Sequence, residues 1–147
     1  MSESYPRVEE ADGRFALVER VRFGDLDAMQ HMNNVEFLRY FETARIAYIT
    51  SLFPEHEPTG RRVFGFIFAE CLISYRSPAH FGEEIRTRCW PLEIGNSSVK
   101  IGFEMHTLGE ERLVAEGYGV LVGYDYDKAT SQKLPDAVRE RLAQDQR

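Results

Sequence analysis

Only one stretch of this chain carries a long helical period, and it is entered through a dense polar loop. From Asn34 onward Phe37, Phe41, Ala44, Tyr48 and Leu52 recur every three or four residues, a stripe that only a helix gathers on one side. Leu38 and Ile49 widen the stripe, while Glu36, Arg39, Thr43 and Thr50 fall largely opposite. Asn33 is a good N-cap, and Glu36 three residues later completes a capping-box-like pair. Just upstream lie Asp25, Asp27 and His31, so the helix opens beside two acids and an imidazole, and its unpaired N–H groups point back toward Asp27 and His31. That is the layout of a reaction site.

Past the helix the period changes from helical to alternating. A connection is marked by Pro54, Pro58 and Gly60, and strands are expected over residues 64–77, 83–94, 97–107 and 112–127, after a first strand over 15–23. In the third of the later strands Val99, Ile101, Phe103 and Met105 alternate with Lys100, Glu104 and His106. In the fourth, Val114, Tyr118, Val120, Val122 and Tyr124 make a large face, and Ala115, Gly117, Gly119 and Gly123 a small one, against which the helix is expected to pass. Residues 1–13 read as a flexible tail, 14–147 as one domain, and 134–147 as a short C-terminal helix. Short turns make successive strands antiparallel neighbours, so the fold class is α+β, a five-stranded antiparallel sheet with one face covered by the long helix. Such a sheet leaves an edge and its outer face open, and a dimer completes it.

Composition narrows the function. A chain of 147 residues with 43% hydrophobic content buries a real core. The net charge of −6 argues against a nucleic-acid partner. No run approaches a membrane span, and the polar start has no apolar signal core, which points to a cytoplasmic protein with no membrane partner. Cys71 and Cys89 sit in apolar strand-like runs and read as buried free thiols. His31, His56, His80 and His106 have no metal-ligand spacing, no phosphate- or dinucleotide-binding glycine pattern occurs, and no cofactor is expected.

The residues Asp25, Asp27, His31, Asn33, Asn34, Phe37, Leu38, Phe41, Glu42, Ala44 and Arg45 resemble the D-x-D-x-x-G-H-x-N-N and Y-L-x-x-F-E-x-A-R signature of hotdog-fold acyl-CoA thioesterases of the 4-hydroxybenzoyl-CoA thioesterase type. Gln30 stands where that pattern has glycine. Weaker likenesses follow in the right order: residues 73–82, 94–98, 115–117 and 134–135, so that the resemblance covers about residues 15–142. It implies a curved sheet wrapped around the central helix, and homodimers or homotetramers with active sites at the subunit interface. It also implies Asp27 as the essential carboxylate and a helix N-terminus near Asn34 that polarises a thioester carbonyl. His31, Asn33, Asn34 and Val35 would form the oxyanion and substrate group, and Arg76, Gly95, Ser97 and Ser98 would hold coenzyme A.

Thioester hydrolysis needs an activated water or a nucleophile, and donors for the developing oxyanion. Asp27 serves as general base or as nucleophile, and both stay open; Asn34 is expected to act through its backbone N–H. Asp25 is expected to hold the loop by accepting backbone N–H bonds, Asn33 to cap the helix, and His31 either to orient substrate or to bond the loop. Glu42 and Arg45 are spaced to pair along the helix. Glu70, in an apolar run, is the competing carboxylate, an acid if buried, but a rim position or an interface partner is the favoured reading of it. Arg61, Arg62, Arg76, Arg86, Arg88 and Lys100 are the basic groups available to coenzyme A phosphates. Two other functions remain: a dehydratase or hydratase on acyl thioesters, using His31, and a non-catalytic acyl-CoA-binding module.

Overall fold

The computed structural model describes residues 4–55 and 65–147. His56, Pro58, Gly60, Arg61, Arg62 and Phe64 lie outside the described residues, and with them the expected start of the second strand. The helix spans Asn34–Leu52 (α1), bounded as its period and cap predict. The strands are Arg7–Ala11 (β1), Arg14–Arg20 (β2), Phe66–Tyr75 (β3), Glu84–Ile94 (β4), Ser98–Thr107 (β5), Leu113–Asp125 (β6) and Thr130–Ser131 (β7), and Asp136–Ala143 forms α2. The pairings among these strands are antiparallel, in the order β1-β2-β4-β5-β6-β3 with β7 added to β6.

Two expectations about the sheet are corrected. Among the described residues it has seven strands rather than five. Part of the expected tail forms β1, turned back on β2 by Asp12 and Gly13, both at positive φ as a tight hairpin requires. Its outward charges are answered across the sheet: Arg7 pairs with Glu84 at 3.2 Å and Glu9 with Arg86 at 3.0 Å. A strand held by charge pairs has no apolar alternation to announce it.

The second correction concerns order. β3 and β4 are not neighbours: β3 pairs with β6 at one edge, and β4 lies between β2 and β5. The connection between them crosses the end of the sheet, with Arg76 and Ser77 donating to Val114 O, Met32 donating to Ala79 O, and Gly82 donating to Val21 O. It passes under the mouth of α1. Its backbone groups are thus satisfied by three separate elements, which no local turn signal encodes.

The helical stripe forms the core. Phe37, Phe41, Ala44, Tyr48 and Ile49 are buried, joined by Tyr40. Leu38 is instead 38% exposed, on an open flank of α1. Phe41 stacks on Phe103 of β5 with centroids 4.2 Å apart, and a Cβ at Gly119 would meet the Phe41 and Phe68 rings at 2.8 and 2.6 Å. That glycine makes room for the helix. The same test at Gly117 meets the β3 backbone, and at Gly123 the backbone of Gln132, so the small face of β6 serves three neighbours rather than one. Both cysteines are free thiols; Cys89 is buried and Cys71 half-buried, and burial pushes both up. Tyr48 donates to Asp145 at 2.6 Å, tying the end of α1 to the segment after α2. No helix among the described residues is long and apolar enough to cross a membrane.

Candidate active site

The loop between β2 and α1 is built around two aspartates with different duties. Asp25, in a 3-10 turn at Phe23–Asp25, is buried and accepts from Arg22 N at 2.9 Å and from the Tyr40 hydroxyl. Tyr40 comes from α1, so the helix holds the loop that precedes it; burial, followed by the bond to Asp25, pushes the phenol far up. Beside this pair Glu19 is buried, and desolvation pushes its carboxyl up as well. Sequence reading missed Tyr40, although its spacing of three from Phe37 and four from Ala44 places it on the flank of the apolar stripe. Replacing Tyr40 with Phe leaves a buried carboxylate without its O–H donor and is expected to cost about 1–3 kcal/mol. Urea melts that coincide with the wild type would refute this.

Asp27 is exposed. Its Oδ1 accepts from Met29 N at 2.9 Å and His31 N at 3.3 Å, while its own N–H donates to His31 O at 2.9 Å. Oδ2 takes no bond among the described residues. Gln30 adopts φ +65°, the left-handed geometry for which glycine is suited, so this chain keeps the turn at a cost of about 1–2 kcal/mol. One carboxylate oxygen is therefore fixed by the backbone, and the other is open.

Six residues on, Asn33 caps α1 by accepting from Val35 N at 3.2 Å. The reciprocal half of the expected capping box is not made: Asn33 N donates to Asp25 O at 2.8 Å, and Glu36 turns to Arg39 at 3.7 Å. Val35 N–H is thereby committed, whereas Asn34 N–H has no acceptor among the described residues. Asp27, His31, Asn34 and Arg76 all line one cleft of about 400 Å³, walled by Met29, Met32, Phe37, Tyr75 and Pro78. Tyr75 of β3 donates to Asn34 O at 3.1 Å and packs edge-on against Phe37.

Not all the expected residues meet there. Arg76 reaches the cleft already paired with Glu116 at 2.9 Å. Gly95, Ser97 and Ser98 form the β4–β5 hairpin turn, about 33 Å along β4 from the end of that strand nearest Asp27. Within one chain they do not approach it. Glu70 is not buried: it lies exposed on the outer face of the sheet, 3.5 Å from the Tyr118 hydroxyl. Arg86 is held by Glu9 and Glu111, and Lys100 by Glu93.

The crossover adds residues that spacing could not reveal. The His80 ring stands edge-on to His31, centroids 5.2 Å apart, with a backbone bridge between the two residues. His80 Nδ1 lies 3.0 Å from Glu83, and Glu83 pairs with Arg112 at 2.7 Å. A carboxylate only accepts, so Nδ1 of His80 carries its proton. Burial alone would raise the Glu83 carboxyl, but hydrogen bonds from Arg112 and His80 draw it below its ordinary 4.5. Between the folded value and 4.5 the unfolded chain binds the extra proton, so this contribution is present above 4.5 and is lost as pH falls through the folded value. An Arg112→Ala variant is expected to show a shallower loss of stability below pH 4.5 than the wild type; parallel acid profiles would count against the pair.

Residues 21–142 match the family model of the thioesterase-like superfamily. The chain belongs to that superfamily and is an enzyme of the thioester hydrolase class. It is 31% identical to a thioesterase from Thermus thermophilus, crystallised with coenzyme A and zinc, over 86% of this chain and 95% of that one, with a TM-score of 0.72. A thioesterase-superfamily structure from Jannaschia sp. CCS1 superposes with a TM-score of 0.85 at 22% identity, over 98% and 96% of the two chains. A 1,4-dihydroxy-2-naphthoyl-CoA thioesterase from Synechocystis gives 0.75 at 16% identity, over 89% and 96%. These likenesses bear out the hotdog arrangement of helix and sheet. No match was found among curated proteins.

Proposed function

We propose that this chain hydrolyses acyl-CoA thioesters, with Asp27 as the catalytic carboxylate and the Asn34 N–H as the oxyanion donor. The observation that carries the reading is their convergence on one cleft, each with its reactive atom uncommitted among the described residues. A thioester carbonyl between them receives the Asn34 N–H and the positive end of the α1 dipole on its oxygen. Its carbon faces Asp27. As base, Asp27 takes a proton from water, hydroxide adds to the carbon, and the tetrahedral oxyanion collapses to expel the coenzyme A thiolate. As nucleophile, it forms a mixed anhydride, expelling the thiolate first, and water then opens the anhydride. His31 orients the acyl thioester beside it, and the Asn33 cap holds the donor in place.

β3 is an edge strand among the described residues, with Ile67 and Leu72 43% and 47% exposed. We assign this edge to a homodimer in which two β3 strands pair antiparallel, bringing a partner's surface over the cleft. The coenzyme A tail would then find Arg76 from one chain and the Gly95–Ser98 turn from the other. A dehydratase would use a histidine paired with a carboxylate; here that histidine is His80, which stands behind His31 rather than lining the cleft.

The test is thiol release over short, long, branched and aromatic acyl-CoAs. Hydrolysis of at least one class is expected; water addition to an enoyl-CoA without thiol release would favour the dehydratase instead. A single turnover in ¹⁸O-water labels Asp27 only on the anhydride route.

A further inference from the structure

Glu42 and Arg45, spaced to pair along α1, form no ion pair, although the Glu42 charge still favours the Arg45 cation. Arg45 is only 8% exposed, its Nε has no hydrogen-bond partner, and its guanidinium makes no ion pair among the described residues. It lies over the Phe68 ring at 4.3 Å and 5.8 Å from the Phe41 centroid. Ring faces offset only part of the cost of desolvating a guanidinium that has five donors and no acceptor. Glu42 is exposed and equally without an ion pair among the described residues. Both stand where the chain is open: Phe68 flanks the irregularity in the β3 edge, and Leu38 and Ile46, one turn either side of Glu42, are 38% and 40% exposed.

An acid and a base on one helix flank, neither in an ion pair, are self-complementary under a two-fold axis. Two β3 edges paired antiparallel place their helices on the same side of a joined sheet, running in opposite directions. With the two-fold axis passing beside residues 42–45, residue 42 of one helix faces residue 45 of the other, twice. We infer that Arg45 takes its acceptor from the partner's Glu42, in a reciprocal pair that closes the dimer and covers the apolar strip of Leu38 and Ile46. This rests on the edge-to-edge dimer proposed above. The pair would add a directly bonded acceptor to the weaker field that Glu42 of its own helix already places on the buried cation.

The experiment exchanges the charges. Glu42→Arg and Arg45→Glu, each alone, place like charges opposite each other at both positions, and the dimer dissociation constant read by sedimentation should rise roughly a hundredfold. Mixed in equal amounts, the two variants present a pair of arginines at positions 42 and 45 on one chain and a pair of glutamates on the other. Native mass spectrometry should then find heterodimers and few homodimers. An interaction confined to one chain cannot be restored by mixing. Should Arg45→Glu fail to fold, Glu42→Gln decides alone, since it removes the exposed acceptor without setting a second cation beside Arg45; an unchanged dissociation constant overturns the pair. A dimeric wild type whose variants recover nothing on mixing also overturns it. A monomeric wild type overturns both the pair and the edge-to-edge dimer, and leaves thiol release to judge the hydrolase separately.

Discussion

Asp27→Asn is expected to fold like the wild type and to lose thiol release by about 10²–10⁴-fold in kcat, the range for a positioned general base. The reason lies in the split duties of the carboxylate. Oδ1 holds the loop by accepting from Met29 N and His31 N, and an asparagine oxygen accepts both bonds equally well. The open oxygen becomes an amide nitrogen, which neither takes a proton from water nor attacks a thioester. Stability and activity should therefore separate, with melting unchanged and turnover gone. Near-normal kcat would remove Asp27 from the chemistry; a collapse of the fold would mean that the charge of the loop matters more than its hydrogen bonds. The neighbouring Asp25 should behave in the opposite manner, because both its partners are structural.

Phe41→Ala should be the most damaging core substitution, at about 3–5 kcal/mol. A domain is stable by only about 5–15 kcal/mol, so this takes a large share. The Phe41 ring is fully buried, stacks on Phe103, meets Phe68 edge-on at 6.4 Å and fills the space left by Gly119. Side chains from α1, β3, β5 and β6 would line the resulting void, and a sheet pinned by ladder hydrogen bonds has little freedom to collapse into it. Guanidinium melts give the measurement. A loss below about 1 kcal/mol would show that α1 can sink toward β5 and fill the gap, contrary to the packing described.

The helix and its mouth were legible because their signals are local. Asn33 is a cap by its own side chain, the apolar spacing is a property of consecutive residues, and the α1 bounds came out as read. The dense polar loop was legible for the same reason, since turn and helix cap must lie next to each other in the chain. β1 was not, because its polar residues are stabilised by charges on β4, more than seventy residues away. The order of β3 and β4 was not, because short connections predict adjacency and this one is instead held under α1 by backbone bonds to distant elements. His80, Glu83 and Arg112 could not be grouped, for nothing in their spacing brings two histidines face to edge.

What consecutive residues alone determined was one long helix with an acid-rich entry, a short helix at the C-terminal end, and an alternating remainder that must pair into a sheet. The tertiary structure decided which atoms of that entry are free. Asn33 took the Val35 N–H and left the Asn34 N–H, the loop took one oxygen of Asp27 and left the other, and α1 turned Arg45 toward the sheet edge, away from a salt bridge with Glu42. Such choices depend on which hydrogen-bonding groups the rest of the fold has already satisfied, and that accounting closes only when the whole chain is packed.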